Sequence, residues 1–392
     1  MSFGSSPSPV MPLAGVVRYL LRAVLAGSSA TQILYGTAFH VFSGTAWATL
    51  SAPPDHGLNL AYPDYAATYY ISVFAAGESV TIEGSFPTWS DYAAVTQYDS
   101  DGIPSISLNK WLPNRSALTD FSLDFSSPTP YCVIYRVYRP MGVQWDSVGP
   151  AGLPTVRLAA GGAPYVSASL SSASFWGVAI NKVLLSIRAL IPSQASEPRP
   201  TNAQFIRPSD NSLGSGFANP DARYLIARYN FDSTASASRE KVFVLSGTLP
   251  PSGGGFRFYG FMFSEASTTA TWNSVFQEQF GGWGADFKVF VCRSQAAARA
   301  AGFDQDEPGH VVLDCSREKC PKPMVIFRQI HTEGGGLGQL DALAAQDDVP
   351  SELVAGALGA AYPFMTEVEV ELPEIPTPTP LQQLLLALCP CL

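Results

Sequence analysis

Apolar and polar residues alternate in short runs along most of the chain. The runs predict strands near 68–74, 79–83, 91–98, 121–125 and 132–138 in the first half. In the second half they predict strands near 224–230, 241–246, 256–263, 287–292, 311–314 and 324–330. Runs apolar on both alternating faces, such as Val242-Phe243-Val244-Leu245, suit strands with at least one face in a core. Turn chemistry separates the runs: Asp101-Gly102 in the first half, Gly253-Gly254-Gly255 in the second. Four stretches carry helical spacing instead, at 17–25, 182–190, 337–345 and 350–360. Strand following strand without intervening helices predicts a mainly β (α+β) chain of antiparallel, sandwich-like sheets rather than a βαβ fold.

The order of landmarks in the first half recurs in the second. Ala61-Tyr62-Pro63-Asp64 followed by Tyr69-Tyr70-Ile71 matches Ala218-Asn219-Pro220-Asp221 followed by Tyr224-Leu225-Ile226. Gly84-Ser85-Phe86-Pro87 matches Gly247-Thr248-Leu249-Pro250, and Val133-Ile134-Tyr135-Arg136 matches Val325-Ile326-Phe327-Arg328. The helical stretches 17–25 and 182–190 precede the two sets. Four correspondences in one order predict an internal duplication, two related units with pseudo-twofold symmetry. The expected division is a tail at 1–12, a first helix-plus-β unit at 13–150 and a linker at 151–174. A second unit at 175–335, a helical segment at 336–365 and a C-terminal arm at 366–392 follow. The arm reads as an alternating strand (Val368, Val370, Leu372), a Pro-Thr-Pro-Thr-Pro spacer and an apolar end with Leu384, Leu385 and Leu388. Such a spacer favours extended polyproline II and holds the end away from its own domain, so the expectation is that the arm docks on a neighbouring copy.

Composition sharpens this. Charged residues are 14% of the 392, against about 25% in an average soluble domain, while aromatics are 12%. Surfaces so poor in charge are either deeply buried or covered by partners. A net charge of −9 with no Lys/Arg cluster excludes nucleic acid as the expected partner. No stretch reads as a transmembrane helix. No acid precedes Asp55, and the early serines resemble a transit peptide, but Arg18 and Arg22 make 12–27 read as an amphipathic helix.

Candidate chemistry is thin. His40, His56, His310 and His331 stand in no metal-ligand spacing, the Gly-rich runs lack P-loop residues, and no GxSxG elbow occurs. The six cysteines form no paired CxxC framework. Buried thiols are the reading for them, with a disulfide from Cys292 to Cys315 or Cys320 as the alternative. The terminal Cys389-Pro390-Cys391-Leu392 has the position of a prenylation box without its aliphatic middle. Asp64 and Asp221 can act as acids or bases, but their occurrence in both halves favours turn-capping roles. Arg136 and Arg328 each end an apolar run, and a buried guanidinium requires a carboxylate, for which Asp64 and Asp221 are the candidates. No catalytic residue, metal site or cofactor is expected.

The residues from Gly84 to Gly102, with Tyr135-Arg136-Val137-Tyr138-Arg139-Pro140, resemble a family of uncharacterised bacterial β-rich proteins, although Asp91 stands where that family usually has Arg. Two related β units with an extended C-terminal arm are also similar to the pyrenoid shell proteins of diatoms and related algae. That resemblance implies a non-enzymatic protein tiling into a sheet around the Rubisco matrix in the chloroplast stroma and aiding CO2 fixation. Its implied partners are other copies of itself and Rubisco matrix components. The alternative is a secreted or periplasmic β-sandwich hydrolase or glycan-binding protein, with 272–283 and its tryptophans as the rim of the site.

Overall fold

The computed structural model describes residues 64–99, 103–110, 119–138, 152–165, 219–232, 238–251, 256–265, 271–316, 323–331 and 351–372. It also describes the short strands and single positions between 40 and 57, together with 140, 142, 205 and 320. The segments 17–25, 182–190 and 337–345, Pro63, and Leu384, Leu385 and Leu388 lie outside the described residues.

The described residues of the first half contain ten strands: β1 (His40–Val41), β2 (Ala48–Ala52), β3 (His56–Gly57), β4 (Ala67–Phe74), β5 (Ser79–Ser85), β6 (Tyr92–Asp99), β7 (Pro104–Asn109), β8 (Asp120–Ser126), β9 (Tyr131–Tyr138) and β10 (Thr155–Leu158). They form sheet I, ordered β1-β2-β4-β9-β6-β7 with β3 beside β2, and sheet II, ordered β10-β5-β8. The alternation expected of a half-buried sheet is plain in sheet II: Val80 and Ile82 are buried and their neighbours are not. The central strands β4, β9 and β6 of sheet I are buried on both faces, every residue of β9 included. One of its faces meets sheet II in a core of Trp47, Tyr70, Phe74, Phe86, Tyr131 and Tyr135 among others.

The second half contains β11 (Ala222–Arg228), β12 (Arg239–Thr248), β13 (Phe256–Glu265), β14 (Thr271–Phe276), β15 (Asp286–Cys292), α1 (Gln295–Ala300), β16 (His310–Asp314), β17 (Pro323–His331), α2 (Ser351–Leu358) and β18 (Phe364–Glu371). Sheet III runs β11-β17-β13-β14 and sheet IV runs β16-β15-β12-β18. Stacked and edge-on phenyl rings fill the space between them, with Phe261 and Phe327 at 4.9 Å and Tyr259 and Phe327 at 4.5 Å. All described strand pairs are antiparallel except β15–β16, which α1 connects. The helix starts where Ser294 accepts the amide of Ala297 as an N-cap, and its alanines cover the outer face of sheet IV at Val242, Phe290 and Val370.

The chain is therefore mainly β, two sandwiches whose strand orders correspond: β4-β9-β6-β7 in one, β11-β17-β13-β14 in the other. β5 pairs with β8 as β12 does with β15, and β10 flanks β5 as β18 flanks β12. Gly84 faces Phe121 across its ladder and Gly247 faces Phe287. One residue on, Ser85 donates to Asp120 and Thr248 to Asp286. A Cβ on Gly247 would lie 2.9 Å from the Phe287 ring and 3.0 Å from the carbonyl of Tyr362. Gly247→Ala is thus expected to lower unfolding free energy by about 1–3 kcal/mol, the cost of overpacking, measurable by denaturant titration.

Two boundaries read from the sequence need correction. The expected linker 151–174 contains β10, which completes sheet II by pairing with β5 in register Val156↔Ile82. Val368, Val370 and Leu372, expected to dock on a neighbouring copy, belong to β18 and its end. That strand pairs with β12 of the same chain, from Phe364 opposite Ser246 to Glu371 opposite Arg239. Burial of an alternating strand against the nearest open edge of its own sandwich explains this. The ion pairs Lys241–Glu367 (2.7 Å) and Arg239–Glu369 (3.8 Å) match its acidic positions to β12.

Candidate functional site: a buried junction between the sandwiches

Sheets I and III pack against each other through the faces turned away from their own cores. Ala66, Ala67, Tyr92, Ala94 and Tyr138 of the first sandwich meet Ala222, Phe258, Phe276 and Ile330 of the second. Small residues at Ala67, Ala94, Ala222 and Gly260 let the two sheets come close, and large aromatics fill the rest. The four sheets thus stack in the order II, I, III, IV.

Polar residues are threaded through this apolar interface. Arg328, on β17, reaches across to the first sandwich, where its Nη1 donates to Asp64 Oδ2 at 3.2 Å, Tyr69 Oη at 3.1 Å and Tyr138 Oη at 3.0 Å. Asp64 is completely buried and is held in turn by the amide of Ala66 and the hydroxyl of Ser274. The guanidinium also lies over the ring of Tyr224, 4.9 Å from its centroid. Burial alone disfavours the charged guanidinium, but the surrounding phenols and Asp64 outweigh it and hold Arg328 above its ordinary value. Burial raises the Tyr138 phenol well above its ordinary value, so it acts as a neutral hydrogen-bonding group. The carboxylate expected for a buried arginine is therefore Asp64, across the junction.

Asp221 serves a different partner. Its Oδ2 accepts from Tyr92 Oη at 2.5 Å and Asn109 Nδ2 at 2.9 Å, and the same tyrosine hydroxyl lies 3.0 Å from Asn219 Oδ1. Arg136 turns within its own sandwich toward the hydroxyls of Tyr98 and Thr96. Asp64 and Asp221, paired as landmarks in the sequence, are not equivalent. Asp64 accepts the amide of Ala66 through its side chain and that of Ala67 through its carbonyl, and Asn219 treats Asp221 and Ala222 the same way. The amides of Asp64 and Asn219 both donate to a tyrosine five residues on, Tyr69 and Tyr224. Asn219 is the counterpart of Asp64, and the shared Pro-Asp dipeptide misled the alignment by two residues.

Other sequence landmarks hold turns. Lys110, which sequence reasoning passed over, is buried just beyond β7. Its ammonium donates to the carbonyls of Pro87, Thr88 and Ser90 at 2.9, 3.2 and 2.6 Å, closing the loop before β6. Burial lowers its pKa, opposed by Asp91. Pro250 accepts the amide of Gly284, and Pro220 accepts from Arg223. Lys110 had no sequence signal beyond a lone cation next to an apolar strand.

In the expected binding rim at 272–283, Gly281 is exposed and Trp272 and Trp283 are half-buried. Trp272 and Trp283 pack onto the core of the second sandwich, and the carbonyls of Thr271 and Trp272 accept from Tyr65 of the first. Of the four histidines, only His310 has a described side chain, edge-on to Phe290 at 5.3 Å. Among the described residues no three His, Cys, Asp or Glu side chains gather as a metal site. Among them also, Cys132, Cys292, Cys315 and Cys320 are buried thiols, and Cys320 donates to the carbonyl of Ser264. No described helix is long and apolar enough to cross a membrane.

No family model matches the sequence, and no curated protein matches it. Among solved structures, the chain is similar to an uncharacterised protein of Burkholderia cenocepacia, at 12% identity and a TM-score of 0.51 over 93% of this chain and 91% of that one. A protein of Vibrio parahaemolyticus aligns at 10% identity and a TM-score of 0.39, over 91% of this chain and all of that one. A salicylate 1,2-dioxygenase of Pseudoaminobacter salicylatoxidans aligns at 11% identity and a TM-score of 0.20, over 90% and 83%. The first of these shows a shared fold across nearly the whole chain and nothing about activity; the other two scores are too low to carry an argument.

Proposed function

We propose that this is a structural protein, a block made of two copies of one ancestral sandwich that self-assembles into a sheet or shell. The observation that carries this reading is the junction. The buried charges Asp64 and Arg328 join one sandwich to the other, a use that serves a rigid building unit. Two sandwiches with corresponding strand orders offer similar surfaces twice, and similar surfaces can propagate in a plane where one unique patch would stop at a dimer. Open outer strands add attachment points: Ile103 and Ile106 are exposed at and beside β7, as is Phe364 on β18.

The resemblance to pyrenoid shell proteins supplies the setting for this proposal: a shell around the Rubisco-containing matrix of an algal chloroplast, with other copies of the chain as principal partner. In this reading the polyproline spacer and the leucines at 384, 385 and 388, rather than β18, fasten neighbouring copies. Negative-stain microscopy and light scattering of the purified chain test it. The full chain is expected to form sheets or large oligomers. Deletion of 373–392 is expected to weaken them while circular dichroism stays unchanged. A protein that remains monomeric at high concentration in both forms would sink the proposal.

A further inference from the structure

The ladder registers place the junction residues of the two sheets in equivalent positions, and this makes their differences informative. The row Tyr69–Arg136–Ala94–Asn109 in sheet I corresponds to Tyr224–Arg328–Gly260–Phe276 in sheet III. The next row, Ala67–Tyr138–Tyr92, corresponds to Ala222–Ile330–Phe258. The turn residues Asp64 and Ala66 correspond to Asn219 and Asp221. Four residues of the first sandwich that satisfy polar groups of the second have incompetent counterparts, whereas Tyr69, which also accepts from Arg328, keeps its hydroxyl in its counterpart Tyr224. Tyr92 and Asn109, donors to Asp221, are replaced by Phe258 and Phe276. Tyr138 and Asp64, acceptors for Arg328, are replaced by Ile330 and Asn219.

We propose that the junction is a pairing code: the sheet III face accepts a sheet I face, its own or that of a second copy of this chain, and rejects another sheet III face. If two second sandwiches met in the same geometry, each Asp221 would face two phenyl rings with no donor. Each Arg328 would face an isoleucine and the amide of Asn219, whose Nδ2 already has no acceptor in the junction. A buried carboxylate and a buried guanidinium left in this way are costly, and that cost is what discriminates. Two sheet I faces would be mismatched differently: Arg136, at the row position of Arg328, would stand opposite a second Asp64, but Tyr92 and Asn109 would face Ala66 where they now have Asp221. Among the described residues no β-ladder crosses the junction, so the pairing there rests on side chains and the groups they reach.

The test uses full-length chains and does not depend on whether the protein forms shells, which microscopy of the wild type decides separately. D64R and R328D each place like charges at the junction in cis, but a mixture of the two restores opposite charges at both junctions of an exchanged pair. Equimolar isotope-labelled D64R and unlabelled R328D, mixed in mild denaturant and returned to buffer, are expected to give a 1:1 heterodimer by native mass spectrometry. It should exceed by at least tenfold the heterodimer from wild type mixed with R328D. No excess, with both variants folded by circular dichroism, would overturn the code, as would homodimers of R328D joined through their second sandwiches. A milder set covers the case in which a charge reversal prevents folding. Tyr92→Phe with Asn109→Leu should lower the melting temperature, and adding Asp221→Ala, the residue type at the equivalent Ala66, should recover most of the loss. No recovery overturns the proposal equally.

Discussion

Arg328→Ala is expected to lower the unfolding free energy by about 3–5 kcal/mol, the usual cost of removing one member of a buried ion pair. The magnitude follows from what remains. Asp64 is fully buried and loses the guanidinium on its Oδ2, while Tyr69 and Tyr138 each lose a charged donor. For a cooperative unit of about 200 residues this corresponds to a fall of roughly 10 °C in melting temperature. A cavity effect would give a similar number, so the control is the double variant Arg328→Met with Asp64→Asn. It keeps most of the volume and removes both charges, and should cost much less than Arg328→Ala. Equal losses in denaturant titrations would show that packing, rather than an orphaned carboxylate, dominates.

Ending the chain before Phe364 is expected to unfold the second sandwich, whereas ending it after Leu372 leaves both sandwiches folded. The shorter chain loses the whole ladder from Arg239↔Glu371 to Ser246↔Phe364 and bares the edge of β12. It also uncovers Val242 and Phe290, which Val370 and its neighbours bury with α1. Removing buried Val370 with half-buried Val368 and Leu372 forfeits about 3–5 kcal/mol of apolar burial, at roughly 1.5–3 kcal/mol for a fully buried side chain and less for the other two. That is comparable with the whole stability of a domain. Limited proteolysis with mass spectrometry distinguishes the outcomes. The first sandwich should survive as a protected core in the shorter chain, and both should survive in the longer one.

Strands were legible in the sequence where one face is buried and the residues alternate, as in β5 and β12, or where an apolar aromatic run is unbroken, as in β9 and β13. The strands that sequence reasoning passed over lack that signal. β7 opens on Pro104 and mixes serines with Ile106 and Leu108, β10 is four residues in a Gly-rich stretch, and β14 mixes Asn273 and Ser274 with Trp272. Helix α1 was hidden because Ala-rich Gln295–Ala300 has too few large apolar residues to show a period. At the junction, the need of a buried arginine for a carboxylate was readable from Arg328 alone. Which carboxylate answered was not, because Asp64 lies 264 residues away and the choice belongs to the packing of two sheets. Tyr92 and Asn109 look like ordinary strand residues until the other sandwich is set against them.

The stack of four sheets has unlike ends. Sheet II turns a bare outer face to solvent, where Thr81 bonds Asp124 and Ser85 bonds Asp120, while sheet IV is clad by the alanines of α1. The described stack thus has a hydroxyl-and-carboxylate end and a helix-clad end, although its middle is built from matching parts. Blocks of this kind laid in one orientation give a membrane-like layer whose two surfaces differ in charge and wettability. Blocks laid alternately give a layer with identical surfaces. Sidedness, the property that lets a wall distinguish what it encloses from what lies beyond, would then depend on the short helix α1 on sheet IV, which has no counterpart on sheet II among the described residues.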